Sequence, residues 1–122
     1  MLRFMHLGRI SSAALMLSGI AGAVTPRRVG DSLHLSATSE RGVAETRAAL
    51  GGTYAALGAW ALVSRDPVAQ TAVGVTWLGA AVVRVGSLAV DRPRTDWTFW
   101  AYLAAEIGLG ATAVGWSIRQ RT

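Results

Sequence analysis

Long apolar runs alternate with short polar breaks along the whole chain. Four apolar stretches are separated by three connections, and each connection holds one of the three prolines, Pro26, Pro67 and Pro93. The second stretch runs uncharged from Ala48 to Ser64, the third runs from Pro67 to Val90 with Arg84 as its one charge, and the fourth runs from Trp97 to Ile118 with Glu106 alone. A bilayer core of about 30 Å is crossed by roughly 20 mostly apolar helical residues, with roughly 17 as the lower limit. The third and fourth stretches meet that length directly, and the second meets it when residues near Arg47 are counted. The pattern therefore predicts an all-α integral membrane four-helix bundle, with helices at about 4–24, 43–64, 67–90 and 96–118 in one domain over 1–122.

The first stretch carries two readings. Arg3, an apolar run from Ile10 to Ile20 and the small triplet Ala21, Gly22, Ala23 also describe a secretory signal peptide, whose removal would leave three helices. A spanning helix is the reading adopted. Nothing after Val24 has the features of an exported, disulfide-permissive domain, and a helix from Phe4 reaches about 20 residues if His6 and Arg9 lie at the interface.

Of the three connections, Thr25 to Ala44 is the longest and reads as an ordinary loop, although Val29, Leu33 and Leu35 would also let part of it lie on a bilayer surface. At its end Thr38 or Ser39 can accept the orphan N–H groups of the next helix, and Glu40 complements the helix dipole. Trp60, Trp97, Trp100 and Trp116 fall near predicted helix ends, as aromatic side chains do at headgroup level; Trp77 is central.

Composition narrows the picture further. Hydrophobic residues make up 52% of the chain and the mean hydropathy is +0.37, which excludes disorder and a heptad-charged coiled coil. The absence of cysteine removes a disulfide scaffold, a thiolate metal site and a cysteine nucleophile. The net charge of +5 comes from 12 arginines and no lysine against 7 acids. The end holding both termini has Arg3, Arg9, Arg65, Arg119 and Arg121. The opposite end has Arg27, Arg28, Arg41, Arg47, Arg92 and Arg94 with five of the acids among them. Counted by the positive-inside rule these nearly cancel, and cytoplasmic termini are the orientation adopted.

Arg84 and Glu106 are the most informative residues, because an ionisable group within a spanning helix costs about 3 kcal/mol or more unless it is paired, hydrated or facing protein. Counted from the turn between the third and fourth helices, Arg84 lies about 9 Å inside and Glu106 about 14 Å inside, at 1.5 Å per residue. The arginine side chain spans that difference, so an Arg84–Glu106 ion pair is expected. Gln70, Trp77, Arg84 and Asp91 recur every seven residues and share one helix face. Arg47 and Tyr54 have the same spacing on the second helix. Glu45, Arg47, Tyr54, Arg84, Asp91, Tyr102 and Glu106 are therefore expected to form one network. That network either fixes helix register or lines a polar pocket for an anionic headgroup or substrate.

The fourth helix also carries a stripe of small residues, Ala101, Ala104, Gly108, Ala111 and Gly115, roughly opposite Glu106. Such a stripe permits close helix packing, either inside the bundle or against a second copy in a homo-oligomer. Several chemistries lack their residues. The two histidines, His6 and His34, have no carboxylate at ligand spacing, so neither a metal site nor a cofactor is expected. Ser87 has no histidine partner for a hydrolase triad, and no catalytic residue is assigned. The glycines Gly51 and Gly52 lie inside an apolar helix and are not a phosphate loop. The arginines are dispersed over both ends, which argues against nucleic acid as a partner.

From Glu45 to about Gly115 the chain resembles the small bacterial four-helix membrane proteins known as domain of unknown function 4345. The residues that carry this are Glu45-Thr46-Arg47-Ala48 followed by Gly52 and Tyr54, then Gly79, Arg84-Val85-Gly86-Ser87-Leu88 and Asp91, then Tyr102 four residues before Glu106. Arg92 departs from the family's usual glycine after the Asp. The resemblance implies a multi-pass protein of the bacterial cytoplasmic membrane and adds Ser87 to the candidate cluster, which then comprises Glu45, Arg47, Tyr54, Arg84, Ser87, Asp91, Tyr102 and Glu106. It implies no reaction. Two functions are carried forward: a lipid- or small-ligand-binding or structural membrane module in contact with membrane lipids, and an oligomeric proton-coupled transporter using Glu106. An intramembrane enzyme with Glu106 or Asp91 as acid/base ranks behind both.

Overall fold

The computed structural model describes residues 2–121, with side chains described from Gly8 to Gln120. Arg3, His6 and Arg121, whose side chains entered the interface and charge-balance expectations, lie outside the described side chains. Every regular element among the described residues is helical: α1 (Leu2–Val24), α2 (Pro26–Ser32), α3 (Glu40–Thr46), a π-helical segment (Arg47–Gly52), α4 (Thr53–Ser64), α5 (Pro67–Val90) and α6 (Trp97–Arg121). The ends are set by local chemistry. Ser39 caps α3 by accepting the Gly42 N–H, and Asp66 caps α5 by accepting the Val68 N–H, with Pro67 at the first helical position. Arg65 closes α4 in the left-handed conformation at φ 56°. Asp96 accepts the Phe99 N–H at the start of α6.

The third expected helix matches α5, and the other long helices correspond to their expected positions with three differences. The connection after Val24 is not a plain loop. Pro26 starts the seven-residue α2, and a turn through His34 (φ 58°) leads to α3. The expected second helix starts at Glu40, earlier than 43, because Ser39 supplies its cap. It also contains the π segment. Backbone torsions stay right-handed through Thr46, Gly52 and Thr53, so α3, the π segment and α4 form one rod with a widened turn. The Thr53 hydroxyl donates to Ala48 O, five residues back, within that turn.

Neighbouring helices run antiparallel and touch where side chains are smallest. A Cβ placed on Gly22 would sit 2.5 Å from Leu50 O, and one on Gly51 would sit 2.6 Å from Ala23 N, so α1 meets the α3–α4 rod backbone to backbone. Gly74 and Gly110 allow the same approach between α5 and α6. Across the centre, the Ser12 hydroxyl donates to Gln70 Oε1 at 2.9 Å and Gln70 Nε2 donates to Ala61 O at 3.2 Å. Ser11 donates to Leu109 O at 2.7 Å, and the Trp77 indole N–H reaches Ser11 O at 3.3 Å. Thr71 donates to Ser117. The seven-residue seam on α5 thus turns inward at Gln70, Trp77 and Arg84.

Apolar side chains are distributed the other way. Among the described residues, seventeen large hydrophobic side chains are exposed, whereas the buried apolar side chains are seven, four of them alanine. The stripe on α6 also faces outward. Ala101, Ala104, Gly108, Ala111 and Gly115 are exposed, and a Cβ on Gly108 or Gly115 would meet open space, so this face does not pack inside the fold. Among the described residues one helix, α5, is long and apolar enough to cross a membrane, with a mean hydropathy of 1.7 in its most apolar window. Only 17% of that window is buried.

Candidate functional site

Glu106 is buried on the inner face of α6, and Arg84 reaches it from α5. The guanidinium holds the carboxylate with two parallel bonds, Nε to Oε1 at 2.7 Å and Nη2 to Oε2 at 3.1 Å. This is the expected ion pair, in bidentate form. The two partners are unequally covered: the Glu106 side chain is 6% exposed and that of Arg84 is 21%. The remaining environment of the guanidinium is aromatic, with its carbon 5.2 Å from the centre of the Phe99 ring and 5.6 Å from that of Tyr102. Both distances fall within the range at which a ring face attracts a cation.

Above the pair lies a recess of about 230 Å³. Half-buried Arg84, Ser87, Phe99 and Tyr102 line it together with the exposed Arg94 and Asp96. Its remaining wall is the end of α2 and the following turn. The Ser32 hydroxyl and the Tyr102 phenol share a 2.8 Å hydrogen bond, and His34 Nε2 is 3.0 Å from Asp96 Oδ2. Asp96 is held well below its ordinary value, to about 2, because it accepts first from the Thr98 hydroxyl and the Phe99 N–H and then from His34. Nothing pairs with Arg94 as a salt bridge among the described residues.

The structure gathers Arg84, Ser87, Tyr102 and Glu106 of the expected cluster. Asp91 stands at its edge, where it accepts the Ser87 hydroxyl at 2.6 Å. The members on the α3–α4 rod are elsewhere. Glu45 is paired with Arg41 on the surface at 2.6 Å, Arg47 donates to Ala23 O, and Tyr54 packs against the apolar core. The physical reason is the π segment and the end of α1. The last turn of a helix leaves carbonyls without donors, and Arg47 supplies one to Ala23 O. The widened turn then reorients Tyr54 relative to Arg47. Ser32, His34, Arg94, Asp96 and Phe99 were missed. His34 has no carboxylate at metal-ligand spacing in the sequence, and the one it meets, Asp96, is 62 positions away; Asp96, as a cap followed by Thr98, carries the local signal.

No group of three or more potential metal ligands comes together among the described residues. The profile of domain of unknown function 4345 matches residues 5–117. The chain belongs to this family. Neither a curated protein nor a solved structure matches the chain. Within this member of domain of unknown function 4345 the match contains every residue of the recess, and the family's description attaches no activity to them.

Proposed function

We propose that the protein is an integral, multi-pass membrane four-helix bundle whose recess over Arg84 and Glu106 binds the acidic group of a small amphiphile. The membrane part is supported by the apolar exterior and the hydrogen-bonded polar interior, an arrangement that suits lipid outside and satisfied polar groups inside. At 1.5 Å per residue α5 is about 36 Å long, so its ends overhang a 30 Å core by about 3 Å each. Arg84 then lies only about 6 Å below the core boundary, within reach of the interface for a snorkelling side chain. A bacterial plasma membrane with cytoplasmic termini is the setting we favour. The chain has no cysteine, so single cysteines introduced at Gln120 and at Asp31 report sidedness without background. An impermeant maleimide applied to intact cells should label the second and spare the first; labelling of both or neither defeats the topology.

The observation that carries the binding reading is the asymmetry of the ion pair. Glu106 is covered, while Arg84 opens onto a recess that also holds the salt-bridge-free Arg94. An acidic group placed there would meet two guanidinium groups, of which Glu106 compensates one, beside an Asp96 carboxylate already engaged by Thr98, the Phe99 N–H and His34. The volume is below the roughly 300–1,000 Å³ of pockets for drug-sized ligands, which points to a headgroup-sized occupant with an apolar tail directed outward. Dodecyl phosphate is a suitable probe. It should raise the unfolding temperature of the detergent-solubilised protein saturably, and R94Q should remove most of that rise. An equal rise with dodecyl maltoside, or an unchanged response in R94Q, would refute acidic-group binding here. Proton-coupled transport through Glu106 is not favoured by any observation, since both carboxylate oxygens are engaged by Arg84.

A further inference from the structure

The opposite end of α5 holds a second recess, of about 240 Å³, lined by Arg9, Arg65, Gln70, Trp116 and Gln120 with apolar residues of the α4–α5 turn beside them. From Gln70 to Arg84 is about 21 Å along the helix at 1.5 Å per residue, so this is a separate place from the recess described above. Its polar groups share one character. Arg9 and Arg65 are exposed and have no salt-bridge partner among the described residues. Gln70 is 2% exposed, with its carbonyl oxygen taken by Ser12 and one amide hydrogen given to Ala61 O, which leaves its second N–H to donate. The indole N–H of Trp116 is buried and finds no acceptor among the described residues. Buried donors are rarely left without an acceptor in native proteins.

No side chain lining this recess is acidic. The acid nearest in sequence, Asp66, is committed to the Val68 N–H at 2.9 Å. Helix dipoles do not decide the matter, because α1 and α5 begin at this end while α4 and α6 finish there. The side chains decide it: the recess is lined by two guanidinium groups and by two residues with a spare amide or indole donor, and by no acidic side chain. An uncharged ligand would leave both arginines unused, and a cation would be repelled.

We propose that this recess is an anion site for a phosphate group, held between Arg9 and Arg65, with the N–H groups of Gln70 and Trp116 as further donors. A phosphate fits because it offers several acceptor oxygens to two forked donors at once. The two sources of that chemistry are the headgroup of an acidic phospholipid and free inorganic phosphate. Leu62 and Pro67 in the same lining give a lipid's glycerol and upper chain an apolar surface to lie on, which free phosphate would not use.

The test uses the intact chain. The variant R9Q/R65N removes both cations; asparagine is chosen at 65 because it tolerates the left-handed backbone that Arg65 adopts. Both positions are exposed, so the fold should survive, and an unfolding temperature within the scatter of the parent protein checks this. In one arm, the protein in nanodiscs of phosphatidylglycerol and phosphatidylcholine is released for native mass spectrometry and its retained lipids are identified. In the other, inorganic phosphate is titrated into the detergent-solubilised protein by calorimetry. Charge-assisted hydrogen bonds to two arginines predict a loss of at least about tenfold in the double variant for whichever anion binds. Preferential retention of phosphatidylglycerol that disappears in R9Q/R65N supports the site with a lipid occupant; phosphate binding that disappears supports it with a free anion. W116F, which keeps the ring over Gly8 but removes the donor, should weaken the same binding several-fold. Retention and titration unchanged in R9Q/R65N, or no binding of either anion by the parent protein, overturns the proposal. R94Q serves to keep the two recesses apart, since it should leave this binding intact whatever it does to dodecyl phosphate.

Discussion

Replacing the two partners of the Arg84–Glu106 pair one at a time should produce unequal losses. A buried ion pair that loses one partner typically costs about 3–5 kcal/mol, because the other charge is left without compensation. Which charge is left therefore matters. In R84M the Glu106 carboxylate remains, 6% exposed and with no other donor bonded to it among the described residues, so the full range applies. In E106Q the Arg84 guanidinium remains, 21% exposed toward the recess, still facing Phe99 and Tyr102 and still able to donate to the glutamine carbonyl. Each ring contact retains about 0.5–1 kcal/mol of attraction, and partial hydration removes more of the penalty, leaving a loss of about 1–2 kcal/mol.

The double variant R84M/E106L removes both charges and replaces them with apolar groups of comparable length. Its stability should return to within about 1 kcal/mol of the parent protein, giving a large non-additive coupling between the two sites. Thermal unfolding in a fixed detergent, followed by circular dichroism, is the assay. For a chain of this size 1 kcal/mol corresponds to about 3–5 °C, so E106Q and R84M should be separated by at least several degrees. A loss in E106Q equal to or greater than that in R84M would refute the argument from unequal burial. Additive losses in R84M/E106L would refute the pairing itself.

Glycine packing gives a second contrast. G51A should destabilise by about 1–3 kcal/mol or more, since its Cβ would fall 2.6 Å from the α1 backbone at Ala23, whereas G79A, with open space around it, should be neutral or stabilising by a few tenths. Q70L should cost about 1–3 kcal/mol by leaving Ala61 O without its side-chain donor and depriving Ser12 of its side-chain acceptor, measured by the same unfolding assay. The pH dependence follows from Asp96. Its carboxyl is lowered from 3.8 to about 2 in the folded protein, so the stabilisation it gives is complete above about pH 5 and is lost as pH falls from there through 2. Amide exchange at the start of α6 should accelerate across that window, and D96N should flatten the dependence while keeping much of the cap.

The sequence made α5 and the central ion pair legible for the same reason. The prolines at 67 and 93 bracket an apolar run, and a lone charge in such a run has few ways to be satisfied. Arg84 and Glu106 were each the single charge of their stretch, on helices joined by a short turn. Arg47 and Tyr54 stand apart from the cluster because seven-residue spacing assumes a regular helix, and the π segment at Arg47–Gly52 breaks that assumption; Glu45, just before that segment, pairs with Arg41 instead. Helix α2 was invisible because seven residues, two of them arginine, show no periodicity that a loop would not also show. The His34–Asp96 contact belongs to no local pattern at all; it follows from where the connection folds back.

Register does not require the charged pair. Ser12 to Gln70, Gln70 to Ala61, Ser11 to Leu109 and Thr71 to Ser117 already tie α1, α4, α5 and α6 together through neutral hydrogen bonds near the middle and the terminal end of the fold. Any axial slip of one helix would break several of these in an interior with little water to replace them. A buried ion pair is a poor additional device for that purpose, since an apolar pair of the same volume would hold the register at no desolvation cost. The pair therefore needs another reason to exist, and the proposed binding site would be one: Arg84 lies in the same recess as Arg94, Ser32 and His34. R84M/E106L discriminates between the two explanations. If the pair serves binding, the double variant should stay folded with the same helix content and lose its response to dodecyl phosphate; if the pair serves register, it should lose its cooperative unfolding.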